Sequence, residues 1–243
     1  MRVGLFVTCL IDTLFPGAAR GVVRVLERLG HEVVFPLAQT CCGQLHFNTG
    51  YQRECVPLAR KFAADFAGLD HVVSPSASCV AMVREFHPVV AALGGGDLPR
   101  AVTATVPRVR EFTEFLVDVL GVTDVGAVFP HRVTYHPTCH GLRLLGLGDR
   151  PTALLRSVRG LTLLDLPDAE QCCGFGGTFA LKNADTSVAM GADKARAVVA
   201  TGAEVLVAVD SSCLMHVGGL LSRQRSGVRV MHLAEVLASE EAR

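Results

Sequence analysis

The chain has 243 residues, room for one large domain or two of roughly 110–120 residues each. Hydrophobic residues make up 50% and charged residues 19%, which excludes general disorder. Lys+Arg and Asp+Glu balance at 23 each, which argues against nucleic acid or an anionic membrane as the partner.

The elements in chain order suggest alternating strands and helices. Val3–Val7 reads as a short buried strand running to Cys9. Pro16 opens a helix with Val22, Val25, Leu26 and Leu29 on one face, closed by Gly30. Glu32–Leu37 reads as a second strand before Cys41-Cys42-Gly43, and a helix is expected from about Asn48 to Ala67. His71–Ser74 reads as a third strand, ahead of Cys79 at the start of the next helix. Gly94-Gly95-Gly96 is the clearest linker signal, and Pro107 to Leu120 has the pattern of an amphipathic helix. The order then repeats: Arg132–His136 leads to Cys139, Leu161–Leu166 to Cys172-Cys173-Gly174, and Glu204–Val209 to Cys213. Val228–Met231 and a terminal helix containing Leu233, Val236 and Leu237 finish the second half.

The cysteines carry the most specific signal. Eight of nine fall into two copies of C–x31/32–CCG–x35/38–C, offset by 130, 131 and 134 residues, as a duplication with small insertions would leave them. The expected architecture is α/β: two duplicated Rossmann-like βαβ lobes with parallel sheets, residues 1–100 and 131–243, with 101–130 as the connecting helix and loop. Each repeated cysteine follows the C-terminal end of a strand, and in a parallel sheet those ends share one edge. Cys9, Cys41, Cys42 and Cys79 can therefore converge, as can Cys139, Cys172, Cys173 and Cys213. Cys55 instead joins Leu58, Ala59, Phe62 and Phe66 in a helical apolar stripe and reads as a core residue.

Four converging thiols suit an iron–sulfur cluster or zinc. Neighbouring cysteines reach one site only on a sharp turn, which Gly43 and Gly174 permit. The CxxC knuckle common in structural zinc sites is absent from the repeats, which favours iron–sulfur, with zinc as the alternative for one or both halves. A thiol–disulfide reductase using the CC pairs and a zinc-stabilised scaffold are the other functions open to such a site. His46, His136 and His140 lie nearest the motifs, and His216 follows Cys213 by one turn. All four could ligate metal or hydrogen-bond a cluster sulfur but are read as ordinary polar residues, and Lys182 and Arg143 are left outside the site. No GxGxxG follows a strand and no Walker-type loop is present, so neither NAD nor flavin is expected. The N-terminal stretch is too short and too early interrupted by Asp12 for an export signal, and no apolar run could span a membrane. A cytoplasmic protein is expected.

Several segments together resemble a known family: Phe6-Val7-Thr8-Cys9, Thr40-Cys41-Cys42-Gly43-Gln44, Ser74-Pro75-Ser76-Ala77-Ser78-Cys79, Tyr135-His136-Pro137-Thr138-Cys139, Gln171-Cys172-Cys173-Gly174-Phe175-Gly176-Gly177-Thr178-Phe179 and Met231-His232-Leu233-Ala234-Glu235-Val236-Leu237. The chain resembles the cysteine-rich (CCG) domain family of iron–sulfur oxidoreductases, which includes the CCG-bearing component of heterodisulfide reductase and the iron–sulfur component of glycolate oxidase. It is most similar to the short two-CCG branch found in bacterial lactate operons. The resemblance implies an electron-transfer component of a three-protein system that oxidises L-lactate to pyruvate. It also implies two partners, the ferredoxin-like lactate utilization protein B and a smaller protein C, and clusters, [4Fe–4S] by expectation, held by the cysteines of each repeat. The wider family ends each repeat with CxxC. Here Ser76 and Asp210 replace the first cysteine of that pair, so a noncubane cluster is not implied, and Asp210 reads as a helix cap in preference to an oxygen ligand.

Overall fold

A computed structural model describes residues 1–240; residues 241–243, the end of the expected second lobe, lie outside the described residues. It contains two four-stranded, all-parallel sheets. The first is built from β1 (Arg2–Leu5), β2 (Glu32–Val34), β3 (His71–Ser74) and β4 (Val109–Glu111), in the order β2-β1-β3-β4. The second is built from β5 (Arg132–His136), β6 (Thr162–Leu164), β7 (Val205–Ala208) and β8 (Arg229–His232), in the corresponding order β6-β5-β7-β8. The registers match as well: Val3 pairs with Val33 and His71, while Val133 pairs with Leu163 and Val205. The fold is thus the duplicated, Rossmann-like α/β architecture that the cysteine spacing suggested. The central strands hold because they are short runs rich in Val and Leu, buried on both faces; Val3, Val72, Val73, Val133, Val205 and Val207 are all fully inaccessible.

In each sheet the order reverses direction at the first strand, between β1 and β3 and again between β5 and β7. A parallel sheet opens a crevice at such a switch point, beyond the carboxyl ends of its strands. The loops leaving those ends carry the repeated cysteines.

Two expected helices differ from the sequence reading. The segment expected as one helix over Pro107–Leu120 begins with a strand: β4 completes the first sheet beside β3, and the helical part is confined to 112–119. Buried Glu111 ends β4 and accepts from the Thr113 amide at 2.7 Å, so the same residue stops the strand and caps the helix. The helix expected from about Asn48 to Ala67 is split into Gln44–Asn48, a single turn at Arg53–Cys55 and Val56–Asp65. Pro57 sits at the start of the last piece, where its missing N–H costs nothing.

The two halves pack against each other. Helix Leu233–Ala238 lies on helix Pro16–Arg28 so closely that a Cβ on Gly21 would meet the Ala234 carbonyl at 2.5 Å. Arg28 reaches across the same seam to the carbonyls of Val125 at 2.9 Å, Leu237 at 3.2 Å and Ala238 at 3.1 Å. Among the described residues no helix is long and apolar enough to cross a membrane.

Candidate metal centres

In the first repeat Cys9 opens the helix after β1, Cys41 and Cys42 lie in the loop after β2, and Cys79 sits in helix Ala77–Ala81 after β3. Their sulfurs meet: Cys9 Sγ is 4.0 Å from Cys41 Sγ, and Cys42 Sγ is 3.2 Å from Cys79 Sγ. The second repeat has the same arrangement, with Cys173 Sγ 3.1 Å from Cys213 Sγ and Cys139 facing Cys172. None of these cysteines is disulfide-bonded. In both repeats the second cysteine of the CC pair approaches the distant last cysteine. A disulfide route would therefore link Cys42 to Cys79 and Cys173 to Cys213.

Gly43 and Gly174 make the adjacent cysteines converge. Both have φ of +90°, a left-handed conformation that side chains resist. Each turns its amide back onto the first sulfur of its pair, Gly43 N–H to Cys41 and Gly174 N–H to Cys172, both at 3.4 Å. The carbonyl of each glycine is held from behind by a residue at the same place in the two halves. Cys55 Sγ donates to Gly43 O at 3.4 Å, and Ser187 Oγ donates to Gly174 O at 2.7 Å. Cys55 is fully buried, as its apolar stripe implied, and it has this additional supporting contact.

The charge in each cluster of sulfurs is unevenly shared. Hydrogen bonds from Cys42 and Cys9 hold Cys41 far below the ordinary thiol range, while Cys9 and Cys42 are pushed above it, chiefly by their bonding to Cys41. In the second repeat Cys139 and Cys173 likewise bond to Cys172, lowering it and raising themselves. In each repeat the first sulfur of the CC pair is thus biased toward the thiolate, and the neighbours bonded to it toward the thiol. A thiophilic metal would displace those protons on binding. The donor set fits such a metal: it is all sulfur, two members of each set are buried, and glycine amides point at the sulfurs.

The two sites share a wall. One cleft opens on Cys9, Cys41, Cys42 and Cys79, and another on Cys139, Cys172, Cys173 and Cys213. Gln44, Ser78, Phe175, Asp210 and Ser212 line both. Gln44 Nε2 donates to Ser78 O at 3.0 Å and lies 3.2 Å from His140 Nε2, tying the first CCG loop to the second half.

Asp210, 3% exposed, is a cap for two helices. Its Oδ1 accepts from Ser212 N–H at 3.2 Å and Ser212 Oγ–H at 2.6 Å, at the start of its own helix, Ser211–Arg223. Its Oδ2 accepts from Ser78 N–H at 2.8 Å, at the first turn of the helix in the other half. Ser76, at the matching position, caps only its own helix, accepting from Cys79 N–H at 3.4 Å.

Among the histidines that the sequence places nearest the motifs, His136 lies against the sulfurs of the second repeat. It is 1% exposed at the end of β5, and burial pushes its imidazole down to about 4. A ring nitrogen of His136 and the sulfurs of Cys173 and Cys213 lie within 4.8 Å of one another. Aligning the repeats at the offset of 130 would have singled it out, because the first half has Phe6 at that place. Buried Lys194 was missed; its Nζ donates to Asp168 O at 2.6 Å and Ala169 O at 3.3 Å, just before the second CCG loop. Lys182 is exposed, and Arg143 is engaged with the Glu170 carbonyl at 3.3 Å.

Paired CCG turns at the carboxyl edges of two parallel sheets define a duplicated cysteine-rich-domain protein, and the chain matches the family described as "Cysteine-rich domain" (CCG) at residues 3–84 and 133–218. It is 48% identical over 238 residues to "Lactate utilization protein A" of an Exiguobacterium species, covering 97% of this chain and 96% of that protein. It is 45% identical to the protein of the same description from Oceanobacillus iheyensis (98% and 96% covered) and 47% identical to that from Bacillus velezensis (98% and 100% covered). The chain belongs to the lactate utilization protein A family. Among solved structures, a sugar ABC transport substrate-binding protein from Bordetella parapertussis covers 96% of this chain and 68% of its own, at 18% identity and a TM-score of 0.31, a likeness that carries no argument.

Proposed function

We propose that the chain is the iron–sulfur oxidoreductase component of a cytoplasmic system that oxidises L-lactate to pyruvate. In this reading Cys9, Cys41, Cys42 and Cys79 hold one centre, and Cys139, Cys172, Cys173 and Cys213 hold another. The lobes that carry them are residues 1–100, whose sheet takes its fourth strand from the connecting segment 101–130, and 131–243. The observation that carries the proposal is the meeting of eight cysteines, scattered over 205 residues of sequence, in two sulfur clusters on either side of one shared wall. The relatives' description supplies the metabolic setting.

Lactate gives pyruvate with loss of two electrons and two protons. An iron–sulfur cluster, [4Fe–4S] in this reading, supplies one-electron transfer when bound. The chain's own residues hold the sulfurs together and donate backbone N–H to Cys41 and Cys172. They also keep the two centres near each other across Ser78, Asp210 and Ser212. The electrons need an acceptor beyond this chain, and the ferredoxin-like lactate utilization protein B fills that role here, with protein C as the third component.

Zinc in one or both repeats is the second reading, favoured by the sulfur spacing. A tetrahedral site with Zn–S bonds of about 2.3 Å has sulfurs about 3.8 Å apart. The spacings here, 3.1 to 4.0 Å, straddle that value. The test is anaerobic purification followed by measurement of iron, acid-labile sulfide and zinc per chain, with visible spectra before and after reduction. Iron with matching sulfide, and absorption that bleaches on reduction, is expected. A colourless protein with stoichiometric zinc in both repeats would replace electron transfer with a scaffold role, and a chain that takes up no metal on reconstitution would remove both readings.

A further inference from the structure

The two repeats differ behind their cysteines. Phe6, one residue past β1, packs edge-on against Phe62, with ring centroids 5.0 Å apart and an interplanar angle of 78°. Phe62 lies seven residues after Cys55, the residue that supports the first CCG turn. Seven residues after Ser187, which supports the second turn, stands Lys194. The place of Phe6 is taken by His136. An aromatic pair in one half is thus an imidazole and an ammonium in the other, both 1% exposed.

Neither ring nitrogen of His136 makes a well-formed hydrogen bond among the described residues, although the Ala169 backbone acts on the ring and partly counters the effect of burial. Burying an imidazole with its nitrogens so poorly satisfied is unfavourable unless something further completes them. Candidates for that role lie within 4.8 Å, the sulfurs of Cys173 and Cys213. Both sulfurs already suit a thiophilic metal, and neutral imidazole is a common ligand of the same metals.

We propose that His136 is a metal ligand, so that the second repeat holds its metal through an imidazole nitrogen together with Cys173 and Cys213, whereas the first repeat is ligated by sulfur alone. The inference rests on the reading that the second repeat binds metal, and it deepens it by making the two centres chemically different. The metal class is thiophilic, either zinc or an iron of a cluster. The imidazole is neutral, so it adds a donor beside the four sulfurs without adding to their negative charge. Lys194 offsets part of that charge, for its ammonium meets only carbonyl oxygens and no carboxylate among the described residues. The first repeat has Phe62 there and no such cation.

X-ray absorption at the iron and zinc edges of the anaerobically prepared full chain tests this. Wild type should show, at whichever edge reports the second repeat, a nitrogen at about 2.0–2.1 Å beside sulfurs at about 2.3 Å. His136→Phe copies the packing used in the first half; it should lose the nitrogen and weaken metal retention in one repeat by more than about 100-fold, beyond the 10–100-fold typical of a residue that only orients a ligand. His136→Cys should restore retention with sulfur in place of nitrogen, and it decides the matter should Phe disturb the packing. His87→Gln, which removes a buried histidine bonded to the Cys42 carbonyl at 2.9 Å, should leave the nitrogen signal intact. Metal bound by sulfur alone in wild type, or a nitrogen signal that survives both His136 substitutions, overturns this inference and leaves the proposed function standing. A chain without metal overturns both.

Discussion

Asp210→Ala separates a structural carboxylate from a metal-binding one. Truncation removes three hydrogen bonds, from Ser212 N–H, Ser212 Oγ–H and Ser78 N–H. Loss of the N-cap of helix Ser211–Arg223 costs about 1 kcal/mol. Ser78 is buried, and leaving its amide without an acceptor adds about 1–3 kcal/mol. The total is roughly 2–4 kcal/mol, a fall in Tm of about 5–15 °C for a chain of this size. Urea and thermal unfolding of the metal-free chain measure this directly, since no ligand then contributes to stability. Ser212→Ala is the control: it removes only the hydroxyl bond and should cost about 1 kcal/mol. Asp210→Ala within about 0.5 kcal/mol of wild type when metal-free, but depleted in metal when loaded, would refute the capping argument and make the carboxylate a ligand.

Three further substitutions probe the fold around the sites. Burial raises Glu111 to about 7, from an ordinary 4.5, so the folded chain keeps a proton that the unfolded chain releases first. Stability should therefore fall as pH rises from about 4.5 to 7, by about 3 kcal/mol in all, and Glu111→Gln should flatten that dependence; equal unfolding free energies of the wild type at pH 5 and pH 8 in urea titrations would count against it. Gly174→Ala should be more damaging than Gly43→Ala. Both glycines have φ of +90°, but a Cβ at 174 would meet the Ser187 carbonyl at 2.5 Å, whereas the nearest atom at 43 is a Leu58 methyl at 3.4 Å. Thermal melts should show about 1–2 kcal/mol for the backbone strain at residue 43 and a clearly larger loss at 174.

The strands could be read because parallel strands buried on both faces leave short apolar runs, as at Val3–Val7 and Glu204–Val209. β4 escaped because Val109, Phe112, Leu116 and Val119 keep a helical spacing through it; only pairing with β3 makes Val109–Glu111 a strand. The sulfur clusters were legible for a topological reason, since chain order in a parallel sheet fixes which loops share an edge. His136 and Lys194 were not legible one residue at a time, because a polar side chain gives no local sign that it will be buried. The comparison that exposes them is between halves, where each stands at the place of a phenylalanine. Half of the role of Asp210 was visible: its own helix follows in sequence, but its second partner, Ser78, lies 132 residues away.

The contact between helices Pro16–Arg28 and Leu233–Ala238 also sets an order of events on the ribosome. The flat face at Gly17 and Gly21 is covered by residues made more than 200 positions later, with Glu235 and Ala234 as its lid. Domains tend to fold as their sequence emerges, N-terminal part first. Here the first half stays unfinished, its groove uncovered, until the Leu233–Ala238 segment has left the exit tunnel more than 200 residues later.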